Sequence, residues 1–236
     1  MDFLDGLKYN IKGLLLALKT PKLLMLGLLR FFIVLFFTLV LSGLILYWHN
    51  EILLMIWKMP ESGWLIYIWK LVSWFLSIFL AGIAMVISYL IAQLFFCVFI
   101  MDYMSRITEK IILGRKVPFE QGSWINFFFY LIKQEIPRAI IPVVISLIIM
   151  LLSLMTPVSP IIIIISSVTA VVFLAWDNTD LIPARRMEPF NVRLKFLRKN
   201  LMFHIGFGTL FLIPWLNILF LSFAPVGATL YYLDKE

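Results

Sequence analysis

Basic and acidic side chains beside long apolar runs are the residues of this chain that could do chemistry. An arginine, a lysine or a charged histidine can hold an anion away from water, and a nearby carboxylate can keep that base in position. The candidates for anion binding are Lys22, Arg138, Arg185, Arg186 and His204. The candidates for a supporting polar network are Asp102, Arg106, Glu109, Glu135, Asp180 and Asn217. These residue types predict electrostatic binding of an anion.

Several candidates have a plainer interpretation that the sequence leaves open. Asp102 and Arg106 have the four-residue spacing of an intrahelical ion pair, and their polar stripe either faces solvent or lines a vestibule. Lys22 follows Pro21 at a helix start, where it meets either a bound anion or lipid headgroups. His204 either handles protons or is hydrogen-bonded at the membrane interface. The position of each side chain in the fold decides between these alternatives.

The sequence motifs of enzymes and metal sites are missing from the chain. There is no His-Glu-x-x-His zinc motif, no Cys-x-x-Cys pair, no glycine-rich phosphate loop and no Gly-x-Ser-x-Gly nucleophile turn. The single cysteine, Cys97, excludes a disulfide within the chain. We therefore predict no catalysis, no metal and no cofactor.

The elements that must position these candidates are membrane helices. Hydrophobic residues make up 63% of the 236 residues, charged residues make up only 14%, and the mean hydropathy is +1.02. Such a composition leaves too little polar surface for a water-soluble domain of this size. The sequence therefore predicts an all-α membrane protein that forms one integral membrane domain over 1–236.

Two apolar stretches, 24–48 and 72–101, are long enough to cross the hydrocarbon core of a bilayer. Before them, residues 1–22 place apolar side chains at helical spacing with lysines off that stripe. This pattern is typical of an amphipathic helix that lies in the membrane interface. The sequence thus predicts an interfacial helix followed by two long transmembrane helices.

Two further apolar stretches, 139–176 and 201–232, are interrupted near their middles. The interrupting residues are Pro157, Pro160, Pro214 and Asn217. The limb 201–213 reaches only about 20 Å at ~1.5 Å per residue, short of the ~30 Å hydrocarbon core. We therefore predict two helical hairpins that penetrate the bilayer only in part, an arrangement typical of proteins that handle a solute within the membrane.

The lysines and arginines are distributed unevenly around the apolar stretches. Most of them fall within 1–23, 102–138 and 177–200, which predicts that these segments and both termini are cytoplasmic. The net charge of +7 is explained by this segregation and by attraction to anionic headgroups, so we predict no nucleic-acid partner. The first apolar run lacks the small-residue pattern of a cleavage site, so we expect no cleavable signal peptide.

A dense pattern of residues between 176 and 230 points to a known family. It consists of Asp180, Pro183-Ala184-Arg185-Arg186, Pro189-Phe190, Leu197-Arg198, Phe207-Gly208, Ile213-Pro214-Trp215-Leu216-Asn217 and Ala224-Pro225-Val226-Gly227-Ala228-Thr229. This pattern resembles the signature region of the CysZ sulfate permeases, which belong to the wider etoposide-induced protein family. Upstream, Asp102, Glu109, Gly114, Glu135 and Arg138 also fit the family.

The resemblance implies two long transmembrane helices with partly penetrating hairpins, sulfate entry for cysteine synthesis without an ATPase, and assembly into homo-oligomers. Family members grip sulfate through a Gly-x-Arg stretch just after a proline at the start of the first span. Here Pro21-Lys22-Leu23-Leu24 occupies that place, and Gly27-Leu28-Leu29-Arg30 follows more than a turn later with a spacing one residue too long. Arg106 stands where family members tend to carry a glutamate.

Together these observations predict a permease of the bacterial inner membrane for sulfate or a related oxyanion. Its arginines and Lys22 would offset the cost of removing water from a divalent anion, helped by helix N-termini. Asp102, Glu135 and Asp180 would hold the arginines when no anion is bound. The alternative is a non-transporting membrane protein that binds lipids or protein partners. Short termini without sorting tails favour a bacterial membrane over the endoplasmic reticulum.

Overall fold

The computed structural model describes residues 2–114, 159–213 and 216–235, together with scattered positions between 129 and 152. Within these residues the chain is helical and contains no strand, which confirms the predicted all-α fold. The helices are α1 (Phe3–Lys19), α2 (Pro21–Tyr47), α3 (His49–Ile56), α4 (Gly63–Ala92), α5 (Val98–Leu113), α6 (Ser159–Thr179), α7 (Leu181–Arg185), α8 (Phe190–Lys199), α9 (Leu201–Gly208) and α10 (Leu216–Leu233). The chain forms two compact units, Met1–Phe31 with Cys97–Glu236, and Phe32–Phe96. The single membrane domain over 1–236 stays a prediction.

Long apolar helices make this chain a multi-pass membrane protein. Within the described residues, three helices are long and apolar enough to cross a membrane, namely α2, the continuous helix Gly63–Leu113 and α10. The first has 27 residues and therefore reaches about 40 Å. It begins at Pro21, whose fixed φ suits a first helical turn and whose missing N–H is not needed there. The first two helices cover the predicted spans 24–48, except for Trp48 at its end, and 72–101.

The second long helix contains a change of geometry near its middle. A five-residue π-helical turn, Gln93–Cys97, separates α4 from α5. Helix α5 then continues to Gly114, which adopts a left-handed φ of 65° and donates its N–H to the Lys110 carbonyl at 3.1 Å. Glycine adopts this conformation without steric cost, so Gly114 caps the end of α5. The polar stripe of α5 therefore follows the apolar segment 72–101 and belongs to the first unit.

The structure describes part of each predicted hairpin. Helix α6 forms the second limb of 139–176, whereas most of the first limb and Pro157 lie outside the described residues. In the second hairpin, α9 passes into a 3-10 turn, Thr209–Leu212, and then into extended backbone at Ile213. Pro214 lies outside the described residues. How deeply either hairpin enters the bilayer stays a prediction.

Helix α1 is packed through its small residues, a face that the sequence pattern did not identify. Its buried residues are Gly6, Asn10, Gly13, Leu14 and Ala17, and they lie against α9 and α10. The predicted apolar stripe lies largely on the outside, where Leu4 is 70% exposed and Leu15 is 52% exposed. An exposed apolar stripe suits contact with lipid. The interfacial location of α1 remains a prediction.

The core of the first unit is aromatic. Phe203 of α9 stacks on Tyr231 of α10 with ring centroids 3.8 Å apart, and Phe207 and Phe223 are buried in the same cluster. Such aromatic contacts stabilise a helix interface through a large contact area and favourable ring geometry. The cluster also includes Met104 of α5. These contacts fix α5 beside α10, and so determine where the polar face of α5 points.

We predict that Gly13→Ala lowers the stability of the protein, because the helix crossing has no space for a methyl group. A Cβ at Gly13 would lie 2.2 Å from the backbone nitrogen of Gly227 and 2.4 Å from its Cα. Overpacking of this kind costs about 1–3 kcal/mol. Thermal unfolding in detergent should show a decrease of a few degrees, at about 2–4 °C per kcal/mol.

The matched control for that variant is Gly82→Ala in α4. A Cβ at Gly82 would meet no atom within 4 Å. Alanine is favoured over glycine in a helix by about 0.5–1 kcal/mol, so this variant should melt at the wild-type temperature or slightly above it. Equal melting temperatures for the two variants would contradict the close crossing of α1 and α10.

Candidate functional site

A cluster of two acids and two bases surrounds Arg185 at the end of α7. Its Nη1 donates to Asp102 Oδ1 at 3.0 Å, and its Nη2 donates to Glu109. Asp102 also accepts a hydrogen bond from Arg106 Nε at 2.8 Å through its other oxygen. We call these four residues the Arg185 cluster. Arg185, Asp102 and Glu109 are buried, so the ion pairs lie inside the protein.

The sequence of α5 explains the geometry of the Arg185 cluster. Asp102, Arg106 and Glu109 are spaced four and three residues apart, which places them on one helix face. The ion pair predicted between Asp102 and Arg106 is confirmed. On the same face, Ser105 accepts a hydrogen bond from Thr229 Oγ1 at 2.8 Å, which ties α5 to α10. The polar stripe of α5 therefore faces the protein interior and other charged groups.

A second cluster surrounds Asp180 at the start of α7. Asp180 Oδ2 lies 3.4 Å from Arg138 Nη1 and also accepts a hydrogen bond from Arg193 of α8. Arg138 Nε lies 3.1 Å from Asp177 Oδ1 at the end of α6. We call these four buried residues the Asp180 cluster. Because α7 has five residues, the two clusters lie at opposite ends of one short helix.

Burial sets the protonation of Asp180. Removal from water raises the pKa of this carboxyl from 3.8 to about 6, although the charges of Arg138 and Arg193 oppose that rise. The negative charge of Asp177 acts in the same direction as burial. Asp180 therefore becomes protonated as the pH falls through about 6. The net charge of the Asp180 cluster then becomes more positive by one unit.

Asp177 and Arg193 were not among the candidates predicted from the sequence. Both belong to a charge-rich segment in which exposed and buried side chains have the same residue types. One signal was present: Arg193 and Leu197 are four residues apart in α8, and both are buried. An arginine in register with an apolar residue on a short amphipathic helix indicates a base that faces the core.

His204 is buried and makes two contacts within the first unit. Its Nδ1 lies 2.8 Å from the Asn200 carbonyl, and its Nε2 lies 2.9 Å from Thr179 Oγ1. The carbonyl can only accept, so Nδ1 carries the proton and Nε2 accepts from the hydroxyl. Both ring nitrogens are therefore used, Nδ1 within the first turn of its own helix and Nε2 to join α9 to the end of α6. This geometry favours the structural interpretation of His204 over a role in proton handling.

Three further candidates, Lys22, Arg186 and Asn217, belong to neither cluster. Lys22 is exposed in the first turn of α2, and Arg186 is exposed with its guanidinium carbon 5.2 Å from the centre of the Tyr232 ring. Asn217 Oδ1 accepts a hydrogen bond from the Ile218 N–H at 2.7 Å, a local contact at the start of α10. Glu135 lies outside the described residues. The structure thus gathers Asp102, Arg106, Glu109, Arg138, Asp180 and Arg185 into clusters.

The two clusters are suited to holding an anion rather than a metal. Among the described residues, no group of three His, Cys, Asp or Glu side chains is placed to hold a metal ion. In each cluster the carboxylates are already bound to guanidinium groups, which leaves them poorly suited as metal ligands. Guanidinium groups in a buried setting bind carboxylates and tetrahedral oxyanions with the same paired N–H geometry.

One protein family matches most of the chain. No curated protein matches the chain. The family described as sulfate transporter CysZ/Etoposide-induced protein 2.4 matches residues 9–222, which include α2 to α9 and every charged residue of both clusters. The resemblance noted in the sequence is thereby confirmed. Because the match covers most of its length, this chain belongs to the sulfate transporter CysZ/Etoposide-induced protein 2.4 family.

Proposed function

We propose that this protein is a permease of the bacterial inner membrane that admits sulfate, or a closely related divalent oxyanion, for sulfur assimilation and cysteine synthesis. The observation that carries the proposal is the pair of buried arginine–carboxylate clusters at the two ends of α7. The family is one of transporters, and its description names sulfate.

Dehydration is the barrier that such a permease must lower. A divalent anion loses a large hydration free energy when it enters a low-dielectric protein interior. Preplaced guanidinium groups replace that hydration with charge-assisted hydrogen bonds. Arg185 and Arg193 are held in position by Glu109 and Asp180, so little rearrangement is needed when an anion arrives. The clusters thus supply the interactions that water would otherwise provide.

The carboxylates keep such a site from holding the anion too tightly. Each cluster contains two acids and two bases, so the charges of its four residues cancel when no anion is bound. For the Asp180 cluster this holds while Asp180 is ionised. An entering oxyanion competes with a carboxylate for the same N–H donors, and the carboxylate takes them back when the anion leaves. This exchange favours passage over trapping. Binding weak enough for release is a requirement of any conducting pathway.

The membrane orientation is part of the same proposal. The basic segments before α2, after α5 and around α7 and α8 support a cytoplasmic location for both termini and for the two clusters. Exposed apolar side chains on α2 and α4, such as Phe36 and Phe79, suit contact with lipid or with a second copy of the chain. We propose a homo-oligomer among anionic lipids on this basis.

We predict that Arg193→Gln reduces sulfate uptake at least about tenfold in proteoliposomes. The change removes a buried charge that Asp180 holds in place. Loss of one partner of a buried hydrogen-bonded charge pair costs about 2–5 kcal/mol, and ~1.4 kcal/mol corresponds to tenfold. Radiolabelled sulfate uptake, with empty liposomes as the baseline, measures the effect. Arg193→Lys keeps the charge but has fewer donors, so its uptake should lie between that of the wild type and that of Arg193→Gln.

The matched control for this variant is Arg198→Gln, because Arg198 lies on the same helix but is exposed. It should keep wild-type uptake. Both variants must elute as a single species in detergent, so that loss of fold is separated from loss of transport. Wild-type uptake in Arg193→Gln would remove the Asp180 cluster from the pathway. Wild-type protein that equals empty liposomes, but copurifies with anionic lipid, would favour the lipid-binding alternative.

We predict that sulfate binds more tightly at pH 5 than at pH 7.5. The pKa of Asp180 is about 6, so lowering the pH through 6 protonates it and leaves Arg138 and Arg193 with one negative charge fewer. Sulfate keeps both of its charges over this range. An increase of about threefold to tenfold in affinity is expected, since one pKa unit of coupling corresponds to about 1.36 kcal/mol. Calorimetry at the two pH values measures it.

Asp180→Asn is the control for the pH effect, because asparagine has nearly the shape of the protonated acid. This variant should bind sulfate at pH 7.5 as tightly as the wild type does at pH 5, with little change between the two pH values. If the affinity of the variant changes with pH as steeply as that of the wild type, another group is responsible and Asp180 does not control binding.

A further inference from the structure

A cavity that the transport proposal does not use lies among α7, α8 and the end of α10. Its volume is about 240 Å³. A water molecule takes up about 30 Å³ in the liquid, so the cavity has room for roughly eight water-sized groups. Pockets for drug-sized ligands have about 300–1,000 Å³, so this cavity suits a smaller organic molecule. Val192 and Lys235 at its wall are exposed, so such a molecule can enter from solvent.

Most of the cavity wall is apolar. Pro183, Val192, Phe196 and Tyr231 contribute to it. The Tyr231 ring is fixed in place, because it stacks on Phe203 with the ring centroids 3.8 Å apart. Apolar groups do not replace the water around an inorganic ion, but they do favour an apolar part of an organic ligand. The wall therefore indicates a ligand with an apolar portion rather than sulfate.

Charged side chains of both signs also line the cavity. They are Glu188, Arg193 and Lys235. Arg193 is bound to Asp180, so its charge is already balanced by that carboxylate. Within the described part of the chain, neither Glu188 nor Lys235 belongs to an ion pair. One negative and one positive group are therefore available to a ligand in the same small cavity.

The backbone after α7 fixes Glu188 at the cavity. The Met187 N–H donates to the Ala184 carbonyl at 3.1 Å, and the Glu188 N–H donates to the Pro183 carbonyl at 3.0 Å. This is the Schellman pattern at a helix C-terminus, in which the residue before Glu188 must adopt a left-handed conformation. Met187 does so with a φ of 58°, at a position where glycine would be unstrained. Tyr232 Oη also donates to Glu188 Oε1 at 3.2 Å, so the carboxylate is held from two sides.

We propose that this cavity binds a small α-amino acid with an apolar side chain. The ammonium group of the ligand pairs with Glu188, and its carboxylate pairs with Lys235. Its side chain lies against Val192 and Phe196, and the Tyr231 ring adds a cation–π attraction for the ammonium group. A zwitterion with an apolar side chain matches the two opposite charges, the apolar wall and the small volume. This inference goes beyond the proposed transport function and does not depend on it.

The test measures binding of L-valine to the full-length wild type by calorimetry in detergent and without sulfate. L-Valine has a size that the cavity accepts. Two further probes each lack one charge, because isovalerate has no ammonium group and L-valinamide has no carboxylate. We expect L-valine to bind at least about tenfold more tightly than either probe, since each loses a charge-assisted hydrogen bond. Equal affinities for L-valine and isovalerate would overturn the proposal.

Two charge variants assign the two ends of the ligand. Glu188→Gln should bind L-valine at least about tenfold more weakly, but should bind isovalerate no more weakly than the wild type does. Lys235→Gln should weaken the binding of L-valine and leave that of L-valinamide unchanged. The matched control is Lys195→Gln, which removes an exposed charge of α8 outside the cavity lining and should bind L-valine as the wild type does.

Val192→Trp tests the location without changing a charge. Val192 is 51% exposed, so a larger side chain there can be accommodated without unfolding the protein. The indole ring should fill the cavity and abolish L-valine binding, while the melting temperature without ligand stays at the wild-type value. Wild-type affinity for L-valine in both Val192→Trp and Glu188→Gln would locate the ligand elsewhere and overturn the proposal.

The outcomes also separate this inference from the proposed function. Sulfate uptake by a wild-type protein that binds no L-valine would overturn the amino-acid site and leave the permease standing. Binding of L-valine that depends on Glu188, in a protein without sulfate uptake, would support the site and overturn the permease.

Discussion

Buried guanidinium groups need negative or polar partners, and much of this structure is arranged around that need. Arg138, Arg185 and Arg193 lie inside a membrane protein, where a charge without a partner is costly. Carboxylates from α5, from the end of α6 and from the start of α7 supply the partners. The short helix α7 is the common element, because Asp180 precedes it and Arg185 ends it. Helices that lie far apart in the sequence are therefore joined by charge as well as by apolar packing.

Apolar packing sets the geometry in which those ion pairs form. The aromatic cluster around Phe203 and Tyr231 holds α9 against α10, while glycines let α1 and α2 approach α10 closely. The hydrogen bond from Thr229 to Ser105 then orients the polar face of α5 toward Arg185. Since packed interiors tolerate little displacement, the charged groups are held in position before any anion enters. Preorganisation of this kind is what an anion needs in exchange for its lost water.

In the proposed permease, exchange between the carboxylates and an oxyanion provides both affinity and release. Neutral clusters attract an anion only moderately, and protonation of Asp180 below pH 6 shifts one of them toward a positive charge. Arg30 of α2 donates to the backbone carbonyl of Leu221, which Pro225 leaves without its helical donor. A proline that interrupts the hydrogen bonding of a helix is a feature that stability alone disfavours.

The sequence by itself determined the fold class, the long apolar helices, the cap at Gly114 and the Asp102–Arg106 pair, because each follows from composition, length or spacing along one helix. Its motifs also identified the family. Only the tertiary structure decided which charges are buried together: it joined Arg185 to Glu109 and Arg193 to Asp180, and it left Arg186 outside. Periodicity describes one helix at a time, whereas these contacts depend on how several helices pack. For the same reason, the contact between Arg30 and the carbonyl freed by Pro225 could not be inferred from either helix alone.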